Sequence, residues 1–229
     1  MRLATPLMIA LSLASAPLSH ADDLKAETPD QQALYALGGR IARDFQTLGV
    51  TAEELAYLKA GMDDLYSGKT EIDLQDRAAI ENIQRFQRSR FQASLDREKA
   101  EGKKFLDKAA GTKGAEKTES GLVYIRQEAG KGDSPGPDDT VKVTYKGSLR
   151  DGKVFDSQLD PDKAASFPLS GVISCWKEAL QRLTPGGKAL FYCPSEMAYG
   201  DNGFPPNIPP GASLQFEVQL LEVQKKAAE

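Results

Sequence analysis

Between Val141 and Leu221 the chain reads Val143-Thr-Tyr145, Gly152-Lys-Val-Phe155-Asp156, Gly171-Val-Ile173-Ser-Cys175-Trp176, Ala198-Tyr199-Gly200, Ile208-Pro-Pro210 and Phe216-Glu-Val-Gln-Leu220. These landmarks are large, apolar and aromatic, and almost none is a reactive group. The chain's one Trp, Trp176, is among them, and its one His, His20, lies far away. Such a set cannot run a His-based proton relay. It suits a dry, shaped pocket with one or two polar groups, and a reaction that makes and breaks no covalent bond.

Around these landmarks the residue period is that of strands. Leu122–Arg126, Val141–Tyr145, Ala189–Tyr192 and Ser213–Val223 read as strands, the last with clear alternation. Ser174–Leu183 reads as a short helix. Gly132–Pro137 and Phe204–Gly211 are loops, because Pro cannot serve a central strand. Many strands and one short helix predict an antiparallel sheet wrapped around that helix.

Before residue 111 the period is helical. Leu34, Leu37, Ile41, Phe45 and Leu48 make one apolar face, with Gly38-Gly39 set where another helix would cross closely. Thr51-Ala-Glu-Glu54 is a capping box that opens a second helix, and Gly68 stops it. Leu55, Leu58, Met62, Leu65 and Tyr66 form its stripe. A third helix is predicted from near Asp73 to about Ala109, roughly 55 Å long at 1.5 Å per residue. Ile80, Ile83 and Phe86 can pack. Asp96–Lys108 is mostly charged and reads as a solvated spacer. The first two faces are too little for an independent core. They pack either on a second copy, giving a two-fold homodimer through residues 22–90, or on their own C-terminal domain.

Residues 1–21 read as a secretory signal. Arg2 starts it, Leu7–Ala14 is its apolar run, and Ser19-His-Ala21 supplies small residues at the cleavage site. The run is too short to span a membrane, and no Cys follows it to carry a lipid. The expected location is the periplasm, either free or peripheral to the outer membrane, with no integral membrane segment. Without Arg2, 28 of the 29 Lys+Arg remain against 33 Asp+Glu, a net charge of −5. That balance argues against nucleic acid, which needs a basic footprint. Two Cys and no mature His cannot complete a zinc site. No metal and no cofactor is expected. Ser174 and Ser195 have no His partner, and Gly200-Asp-Asn-Gly203 runs into prolines instead of the helix of a phosphate loop.

From Gly121 to Val223 the ordered motifs resemble the FKBP family of peptidyl-prolyl isomerases. With a helical half before them, the chain is similar to its dimeric, macrophage-infectivity-potentiator-like bacterial subgroup. The resemblance implies an α+β protein with four parts. These are the signal (1–21), a helical dimerisation domain with its long spacer helix (22–112), a linker (113–120) and an isomerase domain (121–229). It implies catalytic Asp156, Tyr199, Trp176 and Phe155. Trp176 would be the floor under a proline ring, Asp156 would face the twisting bond, and Tyr199 would donate to a substrate carbonyl. Tyr145, Val172, Ile173 and Phe216 would be walls. Phe204 and Ile208 would come from an overhanging loop. The ordinary alternative for these residues is core, with satisfied tyrosines and a turn aspartate. Cys175 and Cys193 lie on elements that the family fold packs together. They form a disulfide or stay as two buried apolar thiols. The departures are Cys175 in place of a Gly before the Trp, Ala165 where single-domain members have an aromatic wall, and Phe204 where some have His.

The expected partners are proline-containing unfolded or exported polypeptides, and macrolides such as tacrolimus and rapamycin. The implied function is cis–trans isomerisation of X-Pro bonds while exported proteins fold. Two rival readings are a holdase chaperone using the dimer cleft, with turnover secondary, and an inactive fold kept as a binding module.

Overall fold

The structure is a computed structural model that describes residues 25–70 and 72–226. The leader at 1–21 lies outside the described residues. The described residues divide into two compact units, one up to Ala42 and one from Arg43 onward.

Helix α1 (Pro29–Thr47) begins in the first unit and runs across the boundary. Its start is a capping box: Thr28 Oγ1 accepts from the Gln31 N–H, and Gln31 Oε1 accepts from the Thr28 N–H. In the described part of the first unit, Leu34, Leu37 and Ile41 are exposed, and nothing lies within 4 Å of a Cβ placed at Gly38 or Gly39.

In the second unit, helix α2 (Ala52–Ser67) has the expected Thr51/Glu54 capping box and ends at Gly68, whose φ is +67°. It buries no residue. Its Glu54 forms an ion pair with Arg90. Helix α3 (Arg77–Ala110) starts four residues later than the sequence suggests. Asp76 is its N-cap, accepting from the Ala79 N–H, while Asp73 closes a turn onto the Gln75 N–H. Asp96–Lys108 is charged, as read, yet one side is not solvated. Leu95, Glu98, Gly102 and Ala109 are buried, three to seven residues apart. The Phe105 ring meets Tyr192 edge-on at 5.2 Å. Gly102 is needed there, because a Cβ would sit 2.5 Å from Ser213 Oγ.

The seven strands form one antiparallel sheet in the order β1-β2-β6-β7-β3-β4, with β5 beside β4 on the same edge of β3. They are β1 (Ala115–Lys117), β2 (Val123–Glu128), β3 (Thr140–Leu149), β4 (Val154–Gln158), β5 (Ala165–Pro168), β6 (Lys188–Cys193) and β7 (Leu214–Gln224). Four of them follow the sequence reading. β1 falls in the predicted linker, pairing Ala115–Lys117 with Val123–Ile125. β4 and β5 were also not expected as strands. Along β7, Leu214, Phe216, Val218 and Leu220 are buried in strict alternation, as period-2 side chains require. They face helix α4 (Ser174–Leu180), three residues shorter than expected, which buries Cys175, Trp176, Ala179 and Leu180. Cys175 and Cys193 are joined in a disulfide, their Cα atoms 5.7 Å apart.

Asp139 ties the C-terminal strand's end to the loop before β3. It accepts from the N–H groups of Gly136 and Lys226 and pairs with Lys225. These bonds, the two backbone donors first, hold its pKa at about 2, below the usual 3.8. Its contribution is therefore complete above about pH 4 and is lost as pH falls through 2. The stability gap between wild type and Asp139→Ala should be constant from pH 5 to 7 and close towards pH 2 in denaturant titrations. A gap independent of pH down to 2 would rule the anchor out.

Candidate active site

Five elements meet at one cleft of about 350 Å³, lined by Tyr145, Phe155, Asp156, Phe167, Gly171, Val172, Ile173, Trp176, Tyr199 and Phe216. Its floor is Trp176 on α4, which is only 5% exposed. The indole meets Tyr145, Phe167, Phe191 and Phe216 edge-on at 5.2–6.3 Å. Edge-to-face packing suits the ring quadrupoles and holds the indole from four sides.

Gly147 makes room for the walls. It pairs with Asp156 on one side and Phe216 on the other. The β3–β4 register shifts between Gly147 and Ser148, so Phe155 is a bulged residue without a partner on β3. The bulge turns the Phe155 ring over the bare glycine, to meet Phe216 edge-on at 5.7 Å. A Cβ at Gly147 would lie 2.7 Å from Phe155 Cζ and 2.9 Å from Phe216 Cε1.

The polar groups are few. Tyr145 Oη donates to Asp156 Oδ2 at 2.5 Å. Burial, then this bond, push the Tyr145 hydroxyl far above its ordinary range. Tyr199 stands at the start of the loop 199–211, and burial, then the Asp156 charge, raise its hydroxyl as well. Among the described residues, no cluster of three or more His, Cys, Asp or Glu is placed to hold a metal ion. No helix among them is long and apolar enough to cross a membrane.

The comparisons with known proteins point the same way. Residues 131–221 match the family model described as FKBP-type peptidyl-prolyl cis-trans isomerase. Residues 30–125 match the domain amino-terminal to it. The chain belongs to the FKBP-type peptidyl-prolyl cis-trans isomerases. It is 37% identical over 225 residues to the FKBP-type isomerase FkpA of Escherichia coli K12, covering 92% of this chain and 82% of that one. It is 38% identical over 203 residues to the 22 kDa FKBP-type isomerase of the same organism, covering 86% and 97%. The crystal structure of E. coli FkpA superposes with a TM-score of 0.66 at 35% identity, over 87% of this chain and 99% of that chain.

Set against the FKBP motif, eight of the ten residues picked from the sequence line the cleft: Tyr145, Phe155, Asp156, Val172, Ile173, Trp176, Tyr199 and Phe216. Phe204 lies beside it, its ring 5.6 Å from that of Tyr199, and is exposed. Ile208 is not among the residues that line the cleft. It is buried and lines a separate small cavity with Ser94, Arg97 and the neighbouring prolines. The reason is the loop's closure: Phe204 and Ile208 exchange both backbone hydrogen bonds, which turns Ile208 inward. Phe167, Gly147 and Gly171 were missed. The family's aromatic wall does not fall at Ala165, but Phe167 is two residues on, along the same face of β5. Its ring is 6.2 Å from Tyr145 and 5.7 Å from Trp176. Alternation from Ala165 was the signal that points to it.

Proposed function

We propose that this FKBP-type isomerase accelerates X-Pro isomerisation during the folding of exported proteins in the periplasm, with the roles given to its site residues above. One observation carries the reading: a tyrosine–aspartate hydrogen bond set in a cleft walled by aromatic rings. Rotation about an X-Pro bond must lose amide resonance, against a barrier near ~20 kcal/mol. The planar amide is the more polar state. A dry cleft destabilises it relative to the twisted state, which is differential binding. The Asp156 charge facing the substrate carbonyl opposes the planar form further. Tyr199 and the backbone N–H of Ile173 are the donors for flanking carbonyls.

No His occurs after residue 20, and both cleft hydroxyls titrate above their ordinary range. Turnover of a short Leu-Pro peptide should therefore be flat from pH 6 to 8. A steep profile in that window would mean another mechanism.

The partner of the helical half is a second copy. Leu34, Leu37, Tyr57, Met62, Leu65, Ile80 and Ile83 are all exposed in the single chain. A monomer would leave this apolar surface in water. The same surfaces favour the holdase as a second reading. Deleting residues 22–90 separates the two. The cut must stop short of Ser94, because the packed stripe of α3 begins there. Survival of peptide turnover, with loss of dimer and of aggregation suppression, supports a catalyst with a separable chaperone half. Wild-type protein that does not accelerate the peptide, and is not competed by rapamycin, would refute the isomerase reading.

A further inference from the structure

One stripe of α3 reaches both chain segments that carry the cleft's polar groups. Glu98 is buried, and its carboxylate takes two bonds from Arg150, at 3.0 Å from Nε and 3.2 Å from Nη2. Arg150 stands at the tip of the β3–β4 hairpin, closed by the Leu149 N–H to the Lys153 carbonyl. The descending strand of that hairpin holds Phe155 and Asp156. One residue on, Lys99 Nζ lies 2.6 Å from Asp201, two residues after Tyr199. Leu95, one turn earlier, packs on Gly211 so closely that a Cβ there would be 2.6 Å from Leu95 Cδ1. The Gly211 N–H in turn bonds the Gly200 carbonyl and closes the Tyr199 loop. The helix thus grips both segments, and none of its residues lines the cleft.

We propose that this stripe of α3 is a brace for the active site, with Glu98 a positioning residue for Phe155 and Asp156 and Leu95 and Lys99 positioning residues for Tyr199. A bidentate Arg–carboxylate pair fixes orientation as well as distance, and a shielded one outlasts salt. Catalysis that rests on pocket geometry loses rate when its groups are misplaced by even about 1 Å. The brace makes residues before the isomerase domain part of its machinery. It rests on the isomerase reading for its kinetic consequence only.

The test uses the full chain, with Glu98→Gln, Glu98→Ala, Arg150→Ala and Lys99→Ala. Arg77→Ala, which breaks the exposed Arg77–Glu81 pair at the start of α3, is the control. Melting temperature, kcat and KM for a short Phe-Pro peptide, and backbone hydrogen exchange are measured on each. Glu98→Ala and Arg150→Ala should each lower kcat about three- to tenfold, with little change in KM. The double variant should be no worse than either single. The charge-swapped pair Glu98→Arg with Arg150→Glu should recover part of the loss. Exchange should rise at residues 150–158 and not in β6. Lys99→Ala should act about twofold or less, since its pair is exposed. Normal kcat in variants that melt earlier would reduce the stripe to ordinary packing and overturn the proposal. So would unchanged exchange at 150–158. A wild-type protein without turnover would refute the isomerase reading alone, and the exchange arm would still decide the brace.

Discussion

Asp156→Ala is expected to slow cis-to-trans turnover of a short Phe-Pro peptide by on the order of ten- to a hundredfold. The substitution removes the carboxylate proposed to face the twisting bond. It also strands the Tyr145 hydroxyl, which is nearly buried and donates to Asp156 Oδ2. An unpaired buried donor costs about 1–3 kcal/mol, which corresponds to about 5- to 150-fold in rate when it falls on the transition state. Asp156→Asn divides the two effects, because an amide oxygen still accepts from Tyr145 but carries no charge. A mild effect of Asn beside a large effect of Ala would assign the loss to Tyr145. Tyr199→Phe should cost less, because Tyr199 is more exposed and shares its proposed donor role with the Ile173 N–H. If Asp156→Ala turned over within twofold of wild type, the carboxylate would have no part in catalysis.

The second large effect concerns the disulfide. Cys175 and Cys193 are both fully buried and are 18 residues apart. Closing a loop of that size restricts the unfolded chain by about 3 kcal/mol in the chain-entropy account. Replacing both cysteines by alanine should lower the melting temperature by on the order of 10 °C. Turnover at 15 °C should fall much less, because four neighbouring rings also hold Trp176. A double variant that melts within 2 °C of wild type would show that the cross-link does not stabilise the fold. Full stability with lost turnover would show instead that it tunes the floor alone.

How much of this could be read from the residues differs by element. The start of α2 was readable from its capping box at Thr51, whereas that of α3 was not, because Asp73 and Asp76 both offer a cap and only Asp76 serves as one. β7 was readable because its alternation is unbroken from Leu214 to Leu220. β1, β4 and β5 are short and lie at the edges, and few of their side chains are buried. They are strands because a neighbour's backbone needs partners, and that need is not written in their own residues. The packed side of α3 was hidden for a related reason. Its stripe includes Glu98 and Gly102, which no apolar periodicity counts, one buried by an ion pair and the other by closeness. At the cleft the aromatic and aspartate positions were readable from ordered motifs. Gly147 was not, since what matters there is two rings that come together only in the folded sheet. The burial of Ile208 was not readable, because it depends on how the loop closes.

The strand between β6 and β3 is β7, the last element among the described residues. A polypeptide delivered amino-end first therefore has a helical half that can form early, and a sheet whose centre arrives last. Until about residue 224 is available, β3 and β6 have no common neighbour, and the Trp176 floor lacks the Phe216 ring. Local helices form without long-range closure, while central non-local strands cannot. A chain that emerges amino-end first thus acquires its cleft only with β7: one cut before Leu214 lacks the shared neighbour of β3 and β6 and the ring that meets Trp176, and so loses the centre of the site and not just its edge.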